Sequence, residues 1–140
     1  MQLEVKINLI LHATENENKV FEELEKNFQI EQSEFQIEQV TGHFNNSILL
    51  ISSKLKKKSA EGFVSLFFSK MKKDEFQEIF DYIEDYVTSS GLSLRISKQK
   101  LISGILEISK EDTIKININT PVYVKNETKK IYQELMNISQ

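Results

Sequence analysis

Strict alternation of apolar and polar residues near the start of the chain restricts its possible folds more than any other feature. Apolar residues occupy every second position there, namely Leu3, Val5, Ile7, Leu9 and Leu11. Because successive side chains of a β-strand point to opposite faces, this spacing predicts a strand over residues 3–12 with one buried and one exposed face. A sheet built from such strands needs cover on one side only, so we expect helices packed against that side.

Segments with the two-residue period of strands are separated by segments with the helical period. We predict further strands at 34–41, 47–55, 92–97, 104–109 and 113–119, the last two forming a hairpin around Lys110-Glu111-Asp112. Helices are predicted at 15–28, at 59–73, from residue 74 and at 126–138. Thr14 and Glu17 predict a capping box at the start of the first helix. We expect residues 1–140 to form a single α+β domain, a two-layer sandwich with helices on one face of a mixed, mostly antiparallel sheet.

The sequence offers little material for catalysis. It has no cysteine, and its four glycines are not clustered, so thiol chemistry, cysteine-bound zinc and glycine-rich phosphate loops are excluded. Each of the two histidines, His12 and His43, could serve as a general base or a metal ligand, although a structural or surface role is the preferred interpretation for either alone. We therefore predict no catalytic site, no cofactor and no metal. A hydrolase that uses His12 or His43 is the least favoured alternative.

Neither a membrane span nor a leader segment is predicted. The longest aliphatic run in the middle of the chain, Ile48 to Ile51, is far shorter than the roughly 20 apolar residues that a transmembrane helix needs. The first residues alternate in polarity and contain no continuous apolar stretch, so we expect a protein of the cytoplasm.

Positive charge is concentrated in two parts of a chain whose formal net charge is -3. The first part closes a predicted strand and opens a helix with Lys54, Lys56, Lys57 and Lys58. The second part, around the end of the 92–97 strand, contains Arg95, Lys98, Gln99 and Lys100. Such groups suit the phosphates and sugars of a nucleic acid, because cations that neutralise phosphates release counterions. The plainer alternatives, a solvated face for the first part and an ordinary strand end for the second, stay open.

The aromatic residues favour a protein core over base stacking. Most of them follow the helical stripes of the 59–73 segment and of the segment after it: Phe63, Phe67, Phe68, Phe76 and Phe80. The polar faces of the predicted strands carry Lys, Asn, Arg and Ser instead. If the protein binds RNA, we expect contacts to backbone and shape rather than stacked bases.

Three motifs follow one another along most of the chain. They are LHATENENKV at residues 11–20, GHFNNSILL at residues 42–50, and LSLRISKQK at residues 92–100 with Gly104 after it. In order and spacing they resemble the motifs of archaeal proteins described as predicted RNA-binding exosome subunits. The chain departs from that family at Asn45-Asn46-Ser47, where Gly-Asn-Pro is usual, and at Ser97, where Asp is usual.

The resemblance implies a two-layer fold similar to that of the large-subunit ribosomal protein that contacts 5S rRNA. It also implies association with RNA, with phosphate or sugar contacts at the matching positions His12, His43, Arg95, Lys98 and Gln99. Our leading hypothesis is a non-catalytic RNA-binding protein that is an accessory to the exosome or to other RNA processing. The alternative is a protein-interaction module or homodimeric adaptor, in which the uneven charge docks a protein partner or a second copy and RNA has no part.

Overall fold

The computed structural model describes residues 2–139, and in that part of the chain six strands form one sheet. The strands are β1 (Glu4–His12), β2 (Gln36–Thr41), β3 (Ser47–Lys56), β4 (Val87–Thr88), β5 (Gly91–Ser97) and β6 (Thr113–Asn119). Their order across the sheet is β2-β3-β1-β6-β5-β4, and each neighbouring pair is antiparallel. The α-helices of the same residues are α1 (Glu17–Phe28), α2 (Lys57–Lys70), α3 (Lys73–Asp81), α4 (Ile83–Tyr86), α5 (Lys98–Ile102) and α6 (Thr128–Met136). The α+β class and the antiparallel sheet are thereby confirmed.

One face of the sheet is covered by the helical layer. The inward residues of the central strand β1, such as Val5 and Leu9, are at most 3% exposed. Across from them, Phe28 of α1 and the residues Phe63 and Phe67 of α2 form an aromatic cluster with ring centroids 5.2 to 6.0 Å apart. Burying each such side chain stabilises the fold by roughly 1.5–3 kcal/mol, so the predicted apolar stripes account for the two-layer packing. Within residues 2–139, every helix is too short or too polar to span a bilayer.

Helix α1 begins later than the predicted capping box requires. Its N-cap is Asn16, whose side chain accepts a hydrogen bond from a first-turn amide at 3.1 Å. The capping box of Thr14 and Glu17 is therefore wrong. The reason is that Glu15 closes the turn after β1, since its carboxylate accepts a hydrogen bond from the amide of His12 at 2.9 Å, and this leaves Asn16 to cap the helix.

Residues 104–109 do not form the predicted hairpin with β6. They contact β5 through a single bridge between Ile96 and Ile108, so β5 lies between them and β6. The amide of Ile108 donates to the carboxylate of Glu75 in α3 at 3.1 Å, which removes it from any strand ladder. Residues 104–109 would show the same alternation whether they paired with β5 or with β6, so the sequence pattern does not select the partner strand. Two short elements, β4 and α5, complete the observed order and were not predicted.

Candidate nucleic-acid interface

The second face of the sheet is exposed in the described part of the chain, and we call it the open face. It consists of the strand residues that alternate with the core residues. Two rows of cross-strand partners define its centre. The first, the Arg95 row, runs through Gln36, Ser52, Asn8, Lys115 and Arg95. The second, the Lys6 row, runs through Lys54, Lys6, Asn117 and Ser93, about 7 Å away along the strands.

Like charges face each other in both rows. Lys6 is the direct partner of Lys54, and Lys115 is the direct partner of Arg95. Directly opposed like charges destabilise a sheet, because such side chains start only about 5 Å apart at Cβ. The strands of residues 2–139 bring five cations to the open face, the fifth being Lys56, against the carboxylates of Glu4 and Glu38. One ion pair, from Lys54 Nζ to Glu4 at 3.5 Å, offsets part of the repulsion, and an anionic ligand would relieve the rest.

A groove of about 720 Å³ lies over the open face. Arg95 and Lys115 line one side of it, and Ile10, Leu50 and Gln36 line the other. Ligand sites commonly have volumes of roughly 300–1,000 Å³, so the groove is large enough for a group the size of a nucleotide. Its two sides differ in chemistry, with Arg95 and Lys115 on β5 and β6 and mainly apolar and amide groups on β1, β2 and β3. Two carboxylates also line the groove, those of Glu38 on β2 and of Asp112 before β6.

Lys98 lies in the interior, which corrects its predicted role as an RNA contact. Its side chain is 1% exposed, and its Nζ donates to the carbonyl of Ile10 at 2.6 Å. Both carboxylate oxygens of Glu15 lie within 2.9 Å of Nζ, and one oxygen of Asp112 lies at 3.0 Å. With its donors used by these acceptors, the ammonium is not available to a phosphate. We call Glu15, Lys98 and Asp112 the Lys98 corner, because together they tie the end of β1 to the turn before β6.

The residues after Lys98 do not belong to the rows of the open face. The amide of Gln99 is exposed but donates to Asp112 at 3.1 Å. Partial burial raises the pKa of Asp112, but hydrogen bonds from Gln99 and Lys98 outweigh it and hold the pKa below its ordinary value. Lys100 is exposed on α5, where Glu107 is a nearby opposite charge. The second predicted basic group therefore contributes Arg95 alone to these rows.

The first predicted basic group divides among three places. Lys54 and Lys56 point outward from β3 and belong to the open face. Lys57 begins α2 at the end of the sheet, and its amide donates to the carbonyl of Leu3 at 3.3 Å. Lys58 lines a cleft between the end of α1 and α2, in the helical layer. Lysines that are close together in sequence are therefore not a continuous patch in space.

The two histidines lie in different surroundings. His12 ends β1, is exposed and lines the groove, with the Asp112 carboxylate near it. His43 is exposed in the turn between β2 and β3. Among residues 2–139, no group of three or more His, Cys, Asp or Glu side chains is placed to hold a metal ion. Of the two histidines, His12 is the one that adjoins the cations of the groove.

Lys6 and Lys115 belong to the open face but to neither predicted basic group. Each is a single cation flanked by apolar core residues, so no local run of charge marks it. They can be predicted from the alternation of the strands, because each occupies a polar position between two inward apolar residues. Cations that are far apart in sequence meet on one face when their strands pair in register.

The fold and this face define an α+β domain with one open sheet face, whose strands carry five cations and two carboxylates in the described part of the chain. The chain belongs to the family described as RNA binding, whose model matches residues 4–120. It is similar to the RNA-binding protein PAB1135 of Pyrococcus abyssi, with 29% identity over 126 residues that cover 85% of this chain and 82% of that protein.

Solved structures of DUF54 proteins share the fold. AF2318 from Archaeoglobus fulgidus has a TM-score of 0.79 and 24% identity, and the likeness covers 96% of this chain and 99% of that one. SSO0741 from Sulfolobus solfataricus has a TM-score of 0.75 and 26% identity, with 94% of this chain and 96% of that one covered. The expected likeness to the ribosomal protein that contacts 5S rRNA stays a prediction.

Proposed function

We propose that this protein binds RNA through the open face. Membership of the RNA-binding family and the name of the Pyrococcus relative support the proposal. The observation that carries it is the pair of direct oppositions, Lys6 with Lys54 and Lys115 with Arg95, on an exposed sheet face. Opposed like charges do not stabilise a sheet, whereas the phosphates of an RNA strand would bring compensating charge to both rows.

The side chains of the two rows suit contact with the RNA backbone. Arg95 offers a fork of donors that matches a phosphate, and the lysines act as point charges. Neutral groups beside them, such as Asn117 next to Lys6, suit the hydroxyls of the sugars. If all four cations of the rows contact phosphates, log affinity for a single strand should fall with log salt concentration with a slope of about 3.

We propose a binding role rather than a catalytic one. The two rows consist of cations, amides and hydroxyls, which bind and orient a ligand but include no general base. We further propose that the protein serves as an accessory to RNA processing. The exosome is the assembly that the three sequence motifs suggest, and that part of the proposal depends on the resemblance alone.

A double variant of the Arg95 row tests the proposal. In Arg95→Ala with Lys115→Ala, RNA affinity should fall and the salt slope should decrease by about 1.5, because two phosphate contacts are lost. The matched control is Lys129→Ala with Lys130→Ala, which removes the same charge from exposed positions of α6 in the helical layer. Fluorescence anisotropy at several salt concentrations measures both quantities.

The outcome separates RNA binding from the alternative. An affinity and a slope that match the wild type in the Arg95 row variant would remove the open face from consideration. A protein partner that stays bound after nuclease treatment, in a protein without measurable RNA affinity, would favour the interaction module or homodimeric adaptor.

A further inference from the structure

Two exposed aliphatic side chains interrupt the polar open face. Ile10 is 48% exposed and Leu50 is 37% exposed, and the two are direct cross-strand partners on β1 and β3. We call this pair the apolar step. It lies one row beyond the Arg95 row and lines the groove. Because the carbonyl of Ile10 accepts the 2.6 Å hydrogen bond from the buried Lys98, the backbone beneath the step is held in place.

The groove brings this apolar step close to both polar and cationic groups. Asn8 and Ser52 border the step in the neighbouring row, with an amide and a hydroxyl. Adjacent strands lie about 5 Å apart, so the backbones of Lys115 and Arg95 lie about 5 and 10 Å from that of Asn8. An apolar floor, hydrogen-bonding groups and two cations therefore lie within the reach of one nucleotide.

We propose that the apolar step is a seat for an unpaired nucleobase of RNA, whose phosphate contacts Lys115 and Arg95. This inference rests on the RNA binding proposed above and names the form of RNA, a single strand or an unpaired loop. In a duplex both faces of each base are covered by its neighbours, so an unpaired base is the one that offers a free face. Asn8 and Ser52 then contact the edge of the base, while the aliphatic floor tolerates any base.

The two cations of the groove favour a nucleotide over an apolar protein segment. The carboxylates that also line the groove are occupied or distant, because Asp112 is paired with Lys98 and Glu38 lies on β2, three strands away from Lys115. A peptide that covered only Ile10 and Leu50 would leave Lys115 opposed to Arg95 without compensation. A nucleotide covers the apolar step with its base and neutralises the cations with its phosphate. One ligand therefore accounts for both features of the groove.

Three labelled RNAs of equal length test the inference: a single-stranded oligouridine, a blunt duplex, and a ribose-phosphate chain without bases. The wild type should bind the oligouridine about tenfold more tightly than the other two, because covering roughly 50 Å² of apolar surface at about 25 cal/mol per Å² corresponds to that ratio. Ile10→Thr with Leu50→Thr should abolish that preference and leave the affinity for the duplex and the abasic chain unchanged. Threonine is chosen because its β-branched side chain keeps a high strand propensity.

The matched control is Val40→Thr with Ile48→Thr. These residues are also direct cross-strand partners on the open face, but they lie one row farther from the cations and do not line the groove. The control should keep the full preference for oligouridine. Loss of the preference in the control to the same extent would assign it to general apolarity and overturn the seat.

The failure of this inference differs from the failure of RNA binding. Equal affinity of the wild type for all three RNAs overturns the nucleobase seat and leaves the RNA-binding proposal standing, whereas no affinity for any of them overturns both. If the threonine variant unfolds, crosslinking of a 4-thiouridine oligonucleotide to the wild type decides the matter. Crosslinks to peptides that contain Ile10 or Leu50 support the seat, and crosslinks confined to other peptides overturn it.

Discussion

The open face and the Lys98 corner hold the same kind of side chain in opposite conditions. Lys6 on the open face is exposed and faces another cation, Lys54. Lys98 in the corner is 1% exposed and is surrounded by a carbonyl and two carboxylates. The charge of the corner is neutralised within the fold, while on the open face, among the residues that the structure describes, the one ion pair is that of Lys54 with Glu4. A lysine in a basic run is therefore evidence for binding only when its neighbours in space do not already neutralise it.

Removing the buried ammonium of Lys98 should give the largest difference in stability between the corner and the open face. Lys98→Met should lower the free energy of unfolding by about 3 kcal/mol, because it leaves the carboxylate of Glu15, 14% exposed, without its partner. Urea unfolding measures the loss. Lys115→Met removes a cation from the open face and serves as the control, with an expected change within about 0.5 kcal/mol. Equal losses in the two variants would mean that the corner is no more structural than the open face.

Reversing one charge on the open face tests whether its opposed cations lower the stability of the fold while they contribute to RNA binding. Lys115→Glu turns the opposition with Arg95 into an attraction, so the free energy of unfolding should rise by about 0.5 kcal/mol. RNA affinity should fall by more than tenfold, because one charge-assisted contact of about 1.5 kcal/mol is lost and the new carboxylate repels the phosphate. Lys115→Gln, which removes the charge without reversing it, should give intermediate values of both. A variant that loses stability and affinity together would contradict the hypothesis that the opposed cations reduce stability and increase RNA affinity.

In β1, β5 and β6 the alternation was enough to predict which residues face the core and which face outward. Lys6 and Lys115 lie where that alternation puts them, although neither belongs to a run of charged residues. Charge runs report what is adjacent in sequence, and a sheet surface is assembled from residues that are adjacent across strands. Pairing the predicted strands in register would have been needed to see the rows.

The burial of Lys98 could not be predicted from its local sequence. Its partners Glu15 and Ile10 lie 83 and 88 positions away along the chain. The strand alternation also ends at Ser97, whose side chain caps α5 by accepting from the amide of Lys100, so parity no longer indicates where the next residue points. Long-range contacts decided the position of this side chain, as they decided the partner of residues 104–109.

Asp112 allows the corner to be tested by pH, with the smallest expected effect. Because its pKa is lower in the folded protein, the unfolded chain binds more protons near that pKa. The stability that its charge provides is therefore present above its ordinary pKa of 3.8 and is lost as the pH falls through the folded value. Asp112→Asn should cost less than about 1 kcal/mol at neutral pH, because the side chain is 46% exposed and solvent screens the pair with Lys98.

The urea midpoints of the wild type and of Asp112→Asn should converge as the pH is lowered, since the wild-type carboxyl becomes neutral as well. Convergence identifies the carboxylate charge of Asp112 as part of what neutralises Lys98. A constant difference across the same pH range would mean that Asp112 acts through its hydrogen bonds alone, and that Glu15 by itself balances the buried ammonium. In that case the corner would be an ion pair with one carboxylate, and the contrast with the open face would depend on Glu15 and the carbonyl of Ile10.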